Sequence, residues 1–179
     1  MNAGEITTQI SNEANLLNIE KWDYGASFSS DFSVQVDKGE AKQLKASQKQ
    51  VITLRVWNKS NLVGITTTSD LSKKGIRKAL NQANIASDFG NKNEITDFSP
   101  LAKEPIKVKE VDKKIPLGIK KLLKILRDAE LNLLESHEAI KSVPYNGLSE
   151  SFYERIYANS DGAFRNYSKS QAALYLYAR

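Results

Sequence analysis

The stretch that decides the fold is residues 51–71, which read VITLRVWNKSNLVGITTTSDL. Apolar side chains alternate with polar ones at its start, and Ile52, Leu54 and Val56 share one face, which is the pattern of a half-buried strand. The polar run at residues 58–61 has the composition of a turn, and β-branched residues follow it. Because two strands joined by so short a connection pair antiparallel, this stretch predicts a hairpin.

The residues before this hairpin predict one helix and two further strands. Apolar residues recur at three- and four-residue steps over residues 4–22, which predicts a helix, and Gly25 then stops it. The period next changes to two, which predicts a strand over residues 28–37. After a turn at residues 38–40, the alternation continues in a more polar strand over residues 44–46. Together with the hairpin, these segments predict a sheet of four strands.

A helix after the hairpin completes the first predicted domain. Ser69 or Asp70 can cap this helix by accepting a hydrogen bond from a free backbone amide, and its apolar stripe reaches Ala86. The order helix, four strands, helix makes a complete small α+β layer. We therefore predict the α+β fold class and a first domain over residues 1–90, in which the four-stranded sheet is largely antiparallel.

The rest of the chain predicts a linker and the start of a second domain. Residues 91–118 carry three of the four prolines and most of a lysine run, which predicts an extended linker. Helical periodicity then returns and ends before Pro144, and the Asn-Gly pair at residues 146–147 marks a loop. Two strands follow, joined at an Asp-Gly turn within residues 159–162. We expect residues 119–179 to be a helix plus a β-hairpin that begins a second α+β domain, truncated here because the chain stops inside an apolar run.

The composition excludes most independent catalytic sites. The 179 residues include no cysteine and one histidine, which excludes thiolate zinc sites, iron–sulfur clusters and cysteine nucleophiles. His137-Glu138 resembles the opening of a helical zinc-protease motif, but Lys141 and Ser142 stand where the second histidine would be. We therefore expect no catalytic, cofactor-binding or metal-ligating residue in this chain.

The net charge of +5 comes from one segment, since residues 103–124 hold eight lysines against three acidic residues. Such a run is typical of a solvated connector, because phosphate binding usually recruits arginine and aromatic residues as well. We therefore expect no nucleic-acid partner. The start of the chain lacks the pattern of a signal peptide, and no apolar run approaches the ~20 residues that cross a bilayer. We expect a cytoplasmic protein that does not contact a membrane.

Tyrosines crowd the last two predicted strands. They are interpreted either as one amphipathic face of a sheet or as a surface that binds a partner or an extended peptide. Tyrosine is favoured at interfaces, and a strand edge can pair with an added peptide strand. The candidate surface consists of Tyr153, Tyr157, Asn159, Ser160, Gly162, Tyr175 and Tyr177.

Three segments carry motifs in an order that is typical of one known family. Residues 51–71 match a signature of the form lRv...gr.G.a.T.dl, and residues 34–40 fit the segment that precedes it. Residues 156–162, IYANSDG, match an i.NS.G hairpin. This ordered set resembles the TldD/TldE (PmbA) family, whose members are also described as modulators of DNA gyrase.

The resemblance implies the N-terminal portion of a TldE/PmbA-type subunit of a metallopeptidase complex acting on unfolded or extended peptides. The chain would be non-catalytic in itself and would contribute assembly and peptide-channel surface. The implied partners are a TldD-like subunit or a second copy of the chain, together with a peptide substrate. A metal, expected to be zinc, would be held by the partner subunit through an H-E-x-x-x-H motif. The alternative is a regulatory binding module for DNA gyrase or nucleic acid, without a peptidase role.

Overall fold

The computed structural model describes residues 2–90, 98–104 and 116–179, and it has the predicted α+β architecture. Its five strands form one antiparallel sheet in the order β3-β2-β1-β4-β5, so the predicted C-terminal hairpin joins the same sheet as the earlier strands. The elements in chain order are α1 (Ala3–Leu16), β1 (Lys21–Asp37), β2 (Glu40–Trp57), β3 (Val63–Thr68), α2 (Lys73–Ser87), a 3-10 turn (Pro100–Lys103), α3 (Gly118–Glu135), β4 (Tyr145–Asn159) and β5 (Phe164–Tyr177).

Helix α1 is shorter than the sequence predicts. Asn2 caps its start in a capping box, because the Asn2 side chain accepts a hydrogen bond from the Glu5 N–H and the Glu5 carboxylate accepts one from the Asn2 N–H. The helix ends at Leu16, and Asn18 then adopts a left-handed φ of 54°. The Ile19 N–H donates to the Ala14 carbonyl at 2.9 Å, which closes the last turn. The predicted end near residue 22 was therefore wrong.

Gly25 does not stop a helix, because it lies inside β1. The turn predicted after this strand is confirmed: Lys38 and Gly39 both have positive φ, which matches the twist of a two-residue hairpin. The two short strands predicted next are a single strand, β2. The tripeptide at residues 47–49 is Ser-Gln-Lys, and it holds no glycine, proline or asparagine to end a strand.

The predicted β2–β3 hairpin and the helix after it are confirmed, with a different cap. The Asn58 side chain accepts hydrogen bonds from the N–H groups of Ser60 and Leu62, which builds the turn. Strands β2 and β3 pair antiparallel along six residues of each strand. Helix α2 is capped by Ser72, whose hydroxyl accepts a hydrogen bond from the Gly75 N–H at 3.1 Å. Asp70 lies two residues earlier, where its carboxylate accepts a hydrogen bond from the Ser72 N–H.

The described residues form two compact units. The first comprises the described residues within Met1–Phe28, Gln50–Glu110 and Glu154–Tyr167. Its core joins the buried stripes of α1 and α2 to strands β1, β2 and β4. The largest fully buried side chains of this core are Ile6, Ile10, Tyr24, Ile52, Leu54, Ile76 and Leu80.

The second unit comprises the described residues within Ser29–Lys49, Val111–Tyr153 and Ser168–Arg179. Helix α3 buries Leu122 and Leu126 against Val34 and Val36 of β1 and Leu148 of β4. The domain boundaries predicted at residues 90 and 118 stay a prediction, because residues 91–97 and 105–115 lie outside the described part of the chain.

The predicted loop at residues 146–147 was wrong, because both residues lie in β4. The buried Asn146 side chain bridges to β1: its Oδ1 accepts from the Val36 N–H at 2.9 Å, and its Nδ2 donates to the Val36 carbonyl at 2.9 Å. A side chain that satisfies both backbone groups of the neighbouring strand keeps this Asn-Gly pair in the sheet. Among the described helices, none is long and apolar enough to cross a membrane.

Candidate peptide- and partner-binding surface

The seven residues of the predicted surface fall into two groups. One group belongs to the first unit and surrounds the β4–β5 turn, with Tyr157, Asn159, Ser160 and Gly162. The other belongs to the second unit and contains Tyr153, Tyr175 and Tyr177. The two groups differ in exposure and in the chemistry of their neighbours.

The turn group is mainly engaged in holding the β4–β5 hairpin. The Asn159 side chain is buried, and its Oδ1 accepts hydrogen bonds from the N–H groups of Asp161 and Ala163 at 3.1 and 2.9 Å. Gly162 has a φ of 91°, which only glycine adopts at little cost. The Ser160 N–H donates to the Trp22 carbonyl at 2.9 Å, and its hydroxyl accepts from the Trp22 N–H. These residues therefore close the turn and attach it to β1.

Tyr157 belongs to a polar group around the buried Asp23 that the sequence analysis missed. Asp23 of β1 is 1% exposed, and it forms a bidentate pair with Arg55 of β2 in which Nε donates to Oδ1 at 2.8 Å and Nη2 donates to Oδ2. The Tyr157 hydroxyl donates to the same Oδ2 at 3.3 Å. Burial raises the pKa of Tyr157, and the charge of Asp23 raises it further. The hydrogen bond to Asp23 raises the pKa of Arg55.

No local signal could have joined these three residues before the strand order was known, because they lie on β1, β2 and β4. Asp23 also lies just after the predicted helix over residues 4–22 and before the predicted strand over residues 28–37, in a segment with no predicted element. The group is hydrogen-bonded across three strands, so it ties β1 to both of its neighbours. Each described polar atom of the Asp23 carboxylate has a partner, which is typical of a structural ion pair.

Aromatic and cationic side chains gather beside this group. The Arg55 guanidinium lies 5.3 Å from the centre of the Trp57 ring. The Lys21 ammonium lies 5.7 Å from the Trp57 ring and 5.4 Å from the Phe98 ring. The two rings meet edge to face with centres 5.3 Å apart. A polar cavity of about 510 Å³ adjoins Trp57, and its lining includes Asn18, Asn58, Asn61 and Asn84.

The second-unit tyrosines are exposed. Together with Tyr145, which the sequence analysis missed because it was placed next to a loop, we call Tyr153, Tyr175 and Tyr177 the tyrosine face. The exposed fractions of Tyr145, Tyr153, Tyr175 and Tyr177 are 71%, 41%, 44% and 63%. The rings of Tyr175 and Tyr177 have centres 6.1 Å apart. Tyr175 and Tyr177 are therefore two neighbouring rings that are both open to solvent.

Glycine at position 147 lets the Tyr175 ring lie directly against the backbone of β4. A Cβ at Gly147 would lie 2.6 Å from the ring, so any other residue would displace it. The Tyr175 hydroxyl reaches β1, where it accepts a hydrogen bond from Gln35 Nε2 at 3.2 Å. Tyr153 similarly reaches Asp31, to which its hydroxyl donates at 3.4 Å. The rings are therefore held in place while one side of each stays open to solvent.

The described residues do not fit a metal site. Within residues 2–90, 98–104 and 116–179, no three His, Cys, Asp or Glu side chains are close enough to hold an ion. His137 lies in the turn after α3 rather than on the helix, and its Nδ1 accepts a hydrogen bond from the Ala139 N–H at 3.0 Å. No catalytic step is assigned to these residues.

Two family models match the chain, and together they span most of it. The model for the PmbA/TldA metallopeptidase domain 1 matches residues 25–86. The model for the PmbA/TldA metallopeptidase central domain matches residues 105–179. No curated protein sequence matches the chain.

Solved structures share the fold over nearly the whole chain. TldE from Thermococcus kodakarensis is 17% identical with a TM-score of 0.72, and the match covers 97% of this chain and 39% of that one. A candidate modulator of a DNA gyrase from Thermotoga maritima is 14% identical with a TM-score of 0.71, over 98% of this chain and 39% of that one. A candidate modulator of DNA gyrase from Bacteroides thetaiotaomicron is 15% identical with a TM-score of 0.69, over 96% and 39%. The chain thus spans about two fifths of the length of these structures.

Proposed function

Because this chain belongs to the TldD/PmbA family of metallopeptidases, we propose that it supplies assembly and peptide-binding surface to a peptidase complex acting on unfolded or extended peptides. In this proposal the chain is part of a TldE/PmbA-like subunit, is non-catalytic itself and works in the cytoplasm. Its partner is a TldD-like subunit or a second copy, and the metal, expected to be zinc, belongs to a TldD-like partner.

The observation that carries this proposal is the tyrosine face. Its rings offer apolar area to a peptide, while their hydroxyl groups can hydrogen-bond to a peptide backbone. Tyrosine has few rotatable bonds, so binding through it costs little side-chain entropy. Because neither contact depends on the sequence of the peptide, such a face suits peptides that share only an extended backbone.

The binding of an unfolded polypeptide by the chain tests the proposal directly. A fluorescein-labelled fragment of β-casein serves as the probe, and fluorescence anisotropy reports the dissociation constant. Replacing both Tyr175 and Tyr177 with serine should weaken binding about tenfold, which is what two exposed aromatic contacts contribute together. Circular dichroism checks that the variant remains folded.

A matched control removes two exposed rings outside the tyrosine face. Phe89 follows α2 and Tyr167 lies in the first-unit part of β5, and both side chains are exposed. The double variant F89S/Y167S should bind the probe within about twofold of the unsubstituted chain. Equal loss in both double variants, or no binding by the unsubstituted chain, would contradict the proposal.

The alternative of a regulatory module depends on the lysine run at residues 103–124, of which residues 105–115 lie outside the described part of the chain. It stays a prediction. Binding of duplex DNA that weakens steeply with salt, and that is lost when these lysines are neutralised, would favour it over the peptide-binding role.

A further inference from the structure

Strand β2 has an unpaired edge next to β3. It contains 18 residues against the six of β3, and the register pairs only Ile52–Trp57 with Val63–Thr68. Residues 40–49, which we call the β2 free edge, have no described strand on that side. Along such an edge, alternate residues direct their backbone N–H and C=O groups outward without a partner strand.

The β2 free edge is an uninterrupted stretch of strand, and its side chains are open to solvent. Nine of its ten side chains are exposed, and Ser47 is half-buried. The sequence EAKQLKASQK contains no proline or glycine that would bend or interrupt it. Unpaired edges are usually kept very short, bulged or covered by another element. Ten extended residues instead offer a continuous template about 33 Å long.

The charge of this edge is positive. Lys42, Lys45 and Lys49 are exposed, and none of them forms an ion pair with a described residue. Glu40 is its only acidic residue, and the Arg127 Nη2 of α3 lies 3.4 Å from the Glu40 carboxylate. Lys45 and Lys49 are four residues apart, so they share one face of the strand. Carboxylates on an added strand would therefore meet unpartnered ammonium groups.

We propose that the β2 free edge binds an extended acidic segment of a partner protein as an added β-strand. Backbone hydrogen bonds give such a strand its affinity, and cross-strand pairs of opposite charge favour it further. A second copy of this chain does not fit, because edge-to-edge pairing would bring six lysines into one two-stranded ribbon, where like charges repel. This edge is on β2 and the tyrosine face is on β4 and β5, so the proposal does not rest on the proposed function.

The test measures the binding of a short fluorescein-labelled peptide of alternating glutamate and valine to the chain. The triple variant K42E/K45E/K49E should weaken binding at least about tenfold, because the ion pairs of Lys45 and Lys49, which share one face of the strand, are lost and replaced by repulsion. The variant K59E/K74E/K78E makes the same change in net charge at exposed lysines elsewhere, and it should change binding by less than about twofold. Amide hydrogen exchange in residues 40–49 should slow when the peptide binds.

Two further peptides separate strand addition from simple attraction between charges. N-methylation of alternate backbone nitrogens keeps the glutamates but removes the hydrogen bonds of one edge, so it should abolish binding when the methylated edge faces β2. A peptide of alternating lysine and valine should not bind. Equal binding of the methylated peptides, unchanged exchange at residues 40–49, or binding only of a single-stranded oligonucleotide would overturn the proposal. So would no binding of the glutamate peptide, since the lysines would then serve only to keep the edge unpaired.

Discussion

Several buried polar side chains among the described residues fix backbone positions. The Asn146 side chain satisfies both backbone groups of Val36, and the Asn159 side chain closes the β4–β5 turn. The buried Glu130 carboxylate accepts a hydrogen bond from the Gly39 N–H at 2.7 Å, which attaches α3 to the β1–β2 turn. A buried polar group that loses its partner costs about 1–3 kcal/mol, so single substitutions at these positions should lower the free energy of unfolding of the unit that contains them.

The ion pair of Asp23 gives the first prediction at this scale. Asp23→Ala should lower the free energy of unfolding by about 2 kcal/mol, because it leaves Arg55 and Tyr157 without their shared acceptor. Arg55 is partly exposed, so water replaces some of the lost contact and the effect stays below that of a fully buried pair. Urea unfolding measures it. The control Asp37→Ala, an exposed position at the end of the same strand, should change stability by less than about 0.5 kcal/mol.

The buried Tyr24 and the half-buried Tyr157 give stability a pH dependence. Burial raises the pKa of Tyr24, partly offset by the hydrogen bond with Thr7, and burial beside Asp23 raises the pKa of Tyr157. A raised folded-state pKa means that these groups stabilise the fold fully below about pH 10. This contribution is lost as the pH rises through the folded-state pKa values, because the unfolded state then releases protons more readily.

Stability to urea should therefore fall with pH above about pH 10, and Tyr157→Phe should make that fall shallower. Phenolate absorbance should show Tyr24 and Tyr157 ionising late among the seven tyrosines. The exposed Tyr145→Phe serves as the control, with the pH slope retained. An identical slope in the Tyr157→Phe variant would contradict the assignment.

At the scale of elements, β3 and α2 pack with their backbones in close contact. Gly64 of β3 makes this approach feasible, because a Cβ there would lie 1.9 Å from the Ala83 carbonyl oxygen and 2.4 Å from the Ser87 nitrogen. Both neighbours are backbone atoms of α2, so no side chain can rotate out of the way. The spacing of the helix from the sheet therefore depends on one residue.

Gly64→Ala should lower the free energy of unfolding by about 3 kcal/mol, because the added methyl group forces α2 away from β3. Gly25→Ala is the matched control: it places the same methyl group on β1, where nothing lies within 4 Å, so stability should change by less than about 0.5 kcal/mol. Thermal or urea unfolding measures both variants. A Gly64→Ala chain as stable as the control would show that α2 can shift without cost.

The elements that the sequence predicts correctly are those bounded by turn-forming residues that are close in sequence. The Asn58 turn and the Asp-Gly turn after β4 carry their own side-chain hydrogen bonds, and both lie where predicted. The end of α1 depends on a backbone bond from Ile19 to Ala14, and apolar periodicity does not reveal it. Asn146 lies in a strand, but the sequence predicts a loop there because the hydrogen bond to its partner Val36 cannot be seen in the sequence. The Asp23–Arg55–Tyr157 group escapes sequence reasoning for the same reason, since three distant strands create it.

At the scale of the molecule, each unit has its own apolar core, and the described residues contain no group of side chains that could hold a metal ion. The first core is built by α1 and α2, and the second by α3. The matched structures are longer than this chain, which spans 39% of each, so the activity of a whole family member is a proposal here. The features that the described residues do offer to other molecules are the tyrosine face and the β2 free edge.

The proposed non-catalytic role leads to a prediction for the chain as a whole. A metallopeptidase site usually takes two or three imidazoles to hold zinc, and all 179 residues provide only His137, whose Nδ1 already accepts a backbone hydrogen bond. The purified chain should therefore bind labelled casein without cleaving it, and added zinc or a chelator should leave both its melting temperature and its binding unchanged. Gel electrophoresis of the casein and thermal unfolding measure these outcomes. Cleavage that a chelator abolishes would place the metal in this chain and would contradict the proposal that a partner subunit holds it. The tyrosine double variant Y175S/Y177S separates the two properties, because it should lose casein binding while its melting temperature stays insensitive to zinc.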